Sequence, residues 1–431
     1  MTGHCSRLAA AALLVACVAA GGHAQSLERR ISAASGSAVQ FHFAARPGIC
    51  GDGRNFVRLD GDSWYGTMND MTRNTACEAG PVRVLVVKSG TEPIRLETYA
   101  GPLTIAPDAA DLGRVAAADA VAYLGALAST GEGRVARDAL LPLGMADSAR
   151  VTPVLLALVR DGNRPRDTRR SALSWIVRRD DAPDALPSGE LLSLLTGLAR
   201  SETEPSSFRQ SVIGTLGRLD RGEGIPALIE MSRSANDGWT ARRATETLAR
   251  SGDPRARRAV RELAKDGGAS SDVRIAAMNG LAGEYGSADD AQILAALYPS
   301  LDSDRLQEAA LNGIAGIGSV AARQFLLRIV KDEQQDRRPR RKAASLLERA
   351  GVPVREVIGA YDGVSDGDVR LQLIDFLAKA GTRDATTKLV SIAKLDTQPT
   401  ARKRAISVLG RSDDASVREA LRGIVGDSRL H

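Results

Sequence analysis

Residues Asp272-Val273-Arg274-Ile275-Ala276-Ala277-Met278-Asn279-Gly280-Leu281, followed by Ala282-Gly283-Glu284-Tyr285-Gly286-Ser287, hold one complete unit of a longer pattern. Leu281 is an apolar anchor with a small apolar residue, Ala277, four places before it and a long polar one, Arg274, seven places before it. Residues four apart share one helix face, so Ala277 and Leu281 mark a buried stripe. Gly286 is placed to stop that helix as a left-handed C′ residue, and Ser287 is placed to cap the next one.

The same anchor returns at Leu143, Ile176, Leu216, Leu248, Ile314, Leu347, Leu377 and Leu409, with successive spacings along the chain of 33, 40, 32, 33, 33, 33, 30 and 32 residues. Four places before the anchors stand Ala139, Ala172, Val212, Ala244, Ala310, Ala343, Leu373 and Ala405. Mostly small residues there let neighbouring helices approach closely, which a stack requires at every step. The long polar residue recurs as Arg169, Arg209, Gln307, Arg340, Arg370 and Arg402, and is expected to lay its methylenes over the adjoining turn while its charge stays in water. Gly252, Gly318, Gly351 and Gly381 are the matching stops, and Asp253, Ser319 and Thr382 the matching caps. A second helix carries its own stripe, as in Ala256, Val260 and Leu263, or Ala385, Leu389 and Ile392. Self-similarity at this period predicts an α-solenoid of about nine helical hairpins over residues 115–431. The 40-residue step holds an Asp- and Pro-rich insertion, Asp180–Pro187, expected to bulge as a loop, and Ala116–Ala128 is expected to form an amphipathic helix that caps the stack.

Units such as Asp272-Val273-Arg274 through Leu281, and Asp368-Val369-Arg370 through Gly381, resemble the bacterial HEAT-repeat family, especially its short phycobilisome-lyase-like variety. The resemblance covers about two-thirds of the chain, with Ala241 departing from the usual Arg. It implies a stack with a long curved surface, concave along the second helices, used for binding. Some members of the wider family are bilin lyases or di-iron peptide-lysine hydroxylases; the hydroxylases need repeated His-Glu metal motifs, and this sequence has none.

Towards the N-terminus the pattern changes. Residues 1–24 combine a short n-region with Arg7, an apolar run from Leu8 to Ala20, and small residues before Gln25, the pattern of a secretory signal peptide. Gly22-His23-Ala24 resembles a signal peptidase I site, whereas Leu14-Val15-Ala16-Cys17 resembles a lipoprotein box, so processing leaves either a periplasmic or secreted protein or an envelope lipoprotein anchored at Cys17. No transmembrane helix is expected in the mature chain. Cleavage after Ala24 leaves Cys50 and Cys77, an even pair in an oxidising compartment, and a disulfide between them is expected. Residues 26–105 alternate with period two at Val39, Phe41 and Phe43 and again at Val82, Val84 and Val86, which predicts a small all-β module, with a hairpin closed by a five-residue loop at Ser89–Pro93. Trp64 and Tyr65 either form an exposed contact for a glycan or protein or complete the small core. Asp52, Asp60 and Asp62 lack the spacing of a calcium loop.

The composition, 43% hydrophobic and 26% charged with only 3% aromatic residues, suits thin layers of small helices better than one thick core. A formal net charge of +6 is too mild to imply a nucleic-acid partner. Four histidines, two of them before Gln25, disfavour His-based triads and His-ligated metals, so no catalytic, cofactor or metal site is assigned. Asp180-Asp181, Asp289-Asp290 and Asp413-Asp414 fall at turns, where helix capping accounts for them. The sharpest charge feature is Arg337-Arg338-Pro339-Arg340-Arg341-Lys342, either a solvated helix start or a contact for an acidic protein surface, anionic lipid or cell-wall polymer. The expected function is that of an exported scaffold or adaptor binding another protein in the cell envelope through its solenoid surface. The rival readings are a glycan- or lipid-binding envelope protein using the β module, and an enzyme of lyase type.

Overall fold

The computed structural model describes residues 25–59, 64–66, 77–131, 133–148, 150–234, 237–411, 417–419 and 421–422. The signal-peptide reading, Cys17, Asp60, Asp62 and the Asp413-Asp414 pair lie outside them. The chain divides into two compact units, residues 1–186 and 187–431.

The first unit opens with a helix, α1 (Leu27–Ala33), whose Leu27 and Ile31 are buried. An all-β reading missed it because seven residues give barely two turns of periodicity. A four-stranded sheet follows from β1 (Ala38–Phe43), β6 (Val82–Ser89), β7 (Glu92–Ala100) and β8 (Ala110–Arg114) in the order β7-β6-β1-β8. β8 pairs parallel to β1, so the sheet extends beyond residue 105. A smaller sheet of β2 (Cys50–Gly51), β3 (Phe56–Arg58), β4 (Trp64–Gly66) and β5 (Glu78–Ala79) has the order β4-β3-β2-β5. The Cys50–Cys77 disulfide closes this segment. The β6–β7 hairpin turns on two residues, not five: Ser89 pairs with Glu92, and Gly90 takes the left-handed φ of 64° that a tight hairpin turn requires. Pro93 is accommodated because β7 lies at the sheet edge.

Val39, Phe41, Phe43, Val82, Val84 and Val86 are all fully buried on one face. Tyr123 of α2 (Ala117–Thr130) meets Phe41 edge-on with ring centroids 6.1 Å apart. The opposite face is covered too. Gln40 is 1% exposed, its Oε1 accepting from the Ala106 N–H at 3.0 Å and from Arg83 at 3.4 Å. Lys88 is likewise buried, and its Nζ donates to Ile31 O and Ala34 O, both at 2.8 Å, so a cation closes the C-terminal end of α1.

The unit continues with α3 (Gly133–Asp138), α4 (Leu140–Met145), α5 (Val151–Arg160) and α6 (Arg166–Arg178). Pro142 explains the break between α3 and α4, since its ring conflicts with the carbonyl four residues back and it has no N–H to donate. The Asp180–Pro187 insertion contains no helix or strand, yet its first half is clamped. Arg179 is 1% exposed and donates to Gly144 O, Ala146 O and Ser148 O at 3.0–3.1 Å and to Asp184 at 3.0 Å. Asp181 pairs with Arg46 at 3.3 Å and so does not serve as a helix cap.

The second unit runs α7 (Ser188–Arg200), α8 (Ser206–Leu216), α9 (Ile225–Ser232), α10 (Gly238–Ala249), α11 (Pro254–Lys265), α12 (Ser271–Leu281), α13 (Ala288–Leu297), α14 (Asp304–Ile317), α15 (Val320–Lys331), α16 (Arg337–Leu346), α17 (Val354–Asp362), α18 (Gly367–Ala380), α19 (Arg383–Leu395) and α20 (Pro399–Leu409). The protein is mostly α: an α-solenoid of HEAT-like hairpins preceded by a small sheet module. From α8 on, even-numbered helices carry the anchors and pack on the next even-numbered helix. All nine anchors of the chain are at most 3% exposed, and the residues four before them are fully buried. Gly280 and Gly313 allow close approach between successive anchor helices: a Cβ on Gly313 would stand 2.7 Å from Met278 O, and one on Gly280 2.3 Å from the Cβ of Ala249.

Asp253, Ser287, Ser319 and Thr382 each accept a backbone N–H at the start of a second helix. Gly318, Gly351 and Gly381 are left-handed, with φ of 62°, 69° and 60°. Gly252 and Gly286 are not, contrary to the sequence reading. They are small for contact reasons instead: a Cβ on Gly252 would stand 3.2 Å from the Tyr285 ring, and one on Gly286 2.7 Å from Leu281 O.

Candidate functional site

At several anchors the arginine seven places before does not keep its charge in water, though Ala136 and Ala241 hold that place before Leu143 and Leu248 and the Arg274 Nε–H has no hydrogen-bond partner among the described residues. Arg169, Arg209 and Arg340 are 2%, 8% and 4% exposed. Their Nε–H groups donate to Val159 O, Ala199 O and Val330 O at 2.9, 2.9 and 3.2 Å, each a carbonyl near the end of the preceding helix. Arg370 does the same to Val364 O at 2.6 Å, Gln307 to Leu301 O at 3.0 Å, and Arg402 to Asp396 O at 2.8 Å. The last carbonyls of a helix have no partner within it, and a cation there also faces the negative end of the helix dipole. This repeat arginine is therefore a clamp between one hairpin and the next.

The basic run on α16 is built into the same framework. Arg340 is the clamp and also pairs with Glu333 at 3.0 Å. Arg337 reaches forward one repeat to Asp366 and Asp368, both at 3.2 Å. Arg338 reaches back one repeat to Asp304 and to Glu308, the latter at 2.9 Å. Only Arg341, exposed, and Lys342, half-exposed, make no ion pair among the described residues. Hydrogen bonds from the Ser365 hydroxyl and N–H, with Arg340 adding to them, lower the Glu333 carboxyl to about 2. The run is thus mostly internal structure, with two cations left to the solvent.

Ion pairs one repeat apart recur along the unit. Arg200–Glu230 joins α7 to α9 at 2.7 Å, Arg233–Glu262 joins α9 to α11 at 2.8 Å, and Arg305–Asp272 joins α12 to α14 at 3.0 Å. Arg404–Asp375 joins α18 to α20 at 2.6 Å. The most buried is Asp290, fully covered at the first turn of α13, where it closes a capping box with Ser287 and takes Arg257 and Arg261 of α11, the latter at 2.6 Å. Burial alone would raise the Asp290 carboxyl, but the bonds from Arg261 and Ser287 and the charge of Arg257 hold it below its ordinary value. Sequence reading missed these pairs because their partners stand some thirty residues apart, where no local periodicity shows them.

Trp64 and Tyr65 lie on β4, opposite Arg58 and Val57 of β3; their side chains fall outside the described residues. Asp52 accepts the N–H groups of Arg54, Asn55 and Phe56 at 2.8–3.1 Å, a turn-forming role. Among the described residues no group of three or more His, Cys, Asp or Glu is placed to hold a metal ion, and no described helix is long and apolar enough to cross a membrane. A groove of about 840 Å³ is lined by Ser345 of α16, Gln372 and Lys379 of α18, Thr386 of α19, and Arg404 and Val408 of α20.

Stacked hairpins joined at several steps by an arginine on a helix-end carbonyl, and at others by repeat-spaced ion pairs, define a solenoid of the HEAT type. Residues 225–314, from α9 to the anchor Ile314, match the HEAT repeats family, so the chain carries HEAT repeats. Several solved structures are similar at low identity. Yeast importin-β is 14% identical, over 72% of this chain and 48% of that one, with a TM-score of 0.39. Human deoxyhypusine hydroxylase is 15% identical, over 61% and 96%, with a TM-score of 0.25. UNC-45 from Drosophila melanogaster is 16% identical, over 71% and 52%, with a TM-score of 0.26. The chain spans about half the length of the importin and UNC-45 structures. No curated protein matches it.

Proposed function

We propose that the chain is an exported, non-catalytic HEAT-repeat scaffold that binds another protein in the cell envelope through its solenoid surface. The observation that carries this reading is the repeat-spaced bonding: arginine-to-carbonyl bonds and ion pairs tie hairpins to their neighbours, while outward side chains such as Gln292, Gln324 and Arg355 stand exposed on successive second helices. A regular row of that kind suits an extended partner. Export is supported by the leader-like residues 1–24 and by the Cys50–Cys77 disulfide, which persists in oxidising compartments.

Photo-crosslinkers at Gln292, Gln324 and Arg355, compared with one at exposed Arg95 of the β module, test the reading. One common species captured from at least two adjacent repeats supports it. Capture from Arg95 alone would shift the function to the module. That second reading has its own support, because Ile94, Leu103 and Ile105 of the module are 51%, 46% and 56% exposed, as a lipid- or glycan-facing surface would require. Mass spectrometry of the mature N-terminus decides the anchor: Gln25 as first residue means a free protein, a lipidated Cys17 a tethered one.

A further inference from the structure

A hollow of about 400 Å³ in the β module is walled by His42, Ala44, Ala45, Pro81 and Arg114. His42 on β1 stands opposite Arg83 on β6 and beside Arg114 on β8, so the three form one row across the sheet. Residues in register across adjacent strands share a face, so two guanidinium groups and an imidazole gather on one side of the sheet. Arg83 is answered: it is buried, donates to Gln40 and Gly53 O at 3.4 and 3.3 Å, and lies 4.0 Å from the Tyr99 ring centre. His42 and Arg114 have no hydrogen-bond or ion-pair partner for their side chains among the described residues. No residue lining the hollow is acidic. The carboxylate of Asp111, also on β8, accepts the Gly113 N–H at 2.9 Å and does not line the hollow.

The backbone aims Arg114 at this place. The β1–β8 register shifts between Gln40 and His42, and Gly113 takes a φ of 70°, so an extra residue on β8 puts Arg114 level with His42. Such bulges re-aim side chains at sheet edges, and β8 is an edge strand. We propose that the hollow binds the carboxylate of a small acidic ligand, held by the planar fork of Arg114 with His42 as a further donor. Ala44, Ala45 and Pro81 offer the ligand's carbon skeleton an apolar wall, and the volume falls within the range of small-molecule sites. This site is independent of the scaffold reading, since it uses none of the repeats.

The test uses the full chain carrying isotope-labelled histidine, with the His42 signal assigned by its loss in His42→Gln. Galacturonate, its methyl ester and N-acetylglutamate are titrated separately. The expected result is a saturable His42 shift with at least one of the two acids and none with the ester; which acid responds tells a sugar carboxylate from a peptide one. Arg114→Ala is expected to weaken binding about tenfold, with Arg114→Lys intermediate. Thermal melts check that the variants fold, and if Arg114→Ala does not, the comparison rests on Arg114→Lys. Silence with both acids, equal response to the ester, or unchanged affinity in the folded Arg114 variants would overturn the proposal.

Discussion

The β module and the repeats of residues 187–431 bury their apolar residues through contacts of different reach. In the module, Phe41 pairs with Val84, and Lys88 closes a helix that ends at Ala33, so most of its core waits on distant parts of the chain. In the repeats, Arg340 clamps Val330 and Arg305 meets Asp272, partners within one repeat. The module should therefore succeed or fail as one unit, whereas damage to a hairpin should spread only to its neighbours. The disulfide belongs where long-range closure is needed, and the small-residue seams belong where stacking is repeated.

That contrast can be broken by experiment, beginning with the largest effect. Replacing Cys50 and Cys77 by serine should cost the module about 3.5 kcal/mol through lost loop constraint, while the repeats keep their own transition. Urea denaturation followed separately by a module probe and a repeat probe reads the difference, and equal losses at both would argue against independent regions. Asp290→Ala should cost about 3 kcal/mol by leaving the largely covered Arg257 unanswered and removing the cap of α13. Here the loss should appear as a broadened repeat transition, with the module's unchanged. Arg340→Met should cost about 2 kcal/mol, because the Val330 carbonyl loses its donor; limited proteolysis should then cut first beside α15 and α16.

Acid gives a smaller effect with a defined window. Glu333 is held at about 2 against an ordinary 4.5, so its contribution is full above the ordinary value and is lost as the pH falls towards 2. Thermal melts of the wild type and Glu333→Gln should differ at pH 6 and converge near pH 2; a constant offset would count against the Ser365 and Arg340 bonds. Smallest of all, Arg341→Glu with Lys342→Glu should move stability by no more than about 0.5 kcal/mol. Any large loss of partner capture in that double variant would therefore report binding and not folding.

Much of the solenoid is legible in the sequence because helix burial is a local matter. Ala277 and Leu281 declare their face by spacing alone, and Ser287 and Ser319 declare the next helix by their chemistry. Positions whose meaning depends on a neighbour are not legible in this way. Gly252 looks like a helix stop and is a contact for the Tyr285 ring; Gln40, a polar residue between Val39 and Phe41, is buried beneath the segment that follows β7. The candidate basic site was visible as a run of charges, but its engagement was not, since Asp304 and Asp368 stand a full repeat away on either side.

The sequence by itself determined the period, the anchors, the caps and the two cysteines, because each depends on residues close along the chain or on residue type alone. Only the tertiary structure decided what the arginines do. Whether a guanidinium faces water, a helix-end carbonyl or a carboxylate depends on where the next hairpin sets its acceptors, and that is fixed by helix packing across a repeat. The same holds for His42 and Arg114, which a bulge in β8 brings level across two strands that stand far apart in the chain.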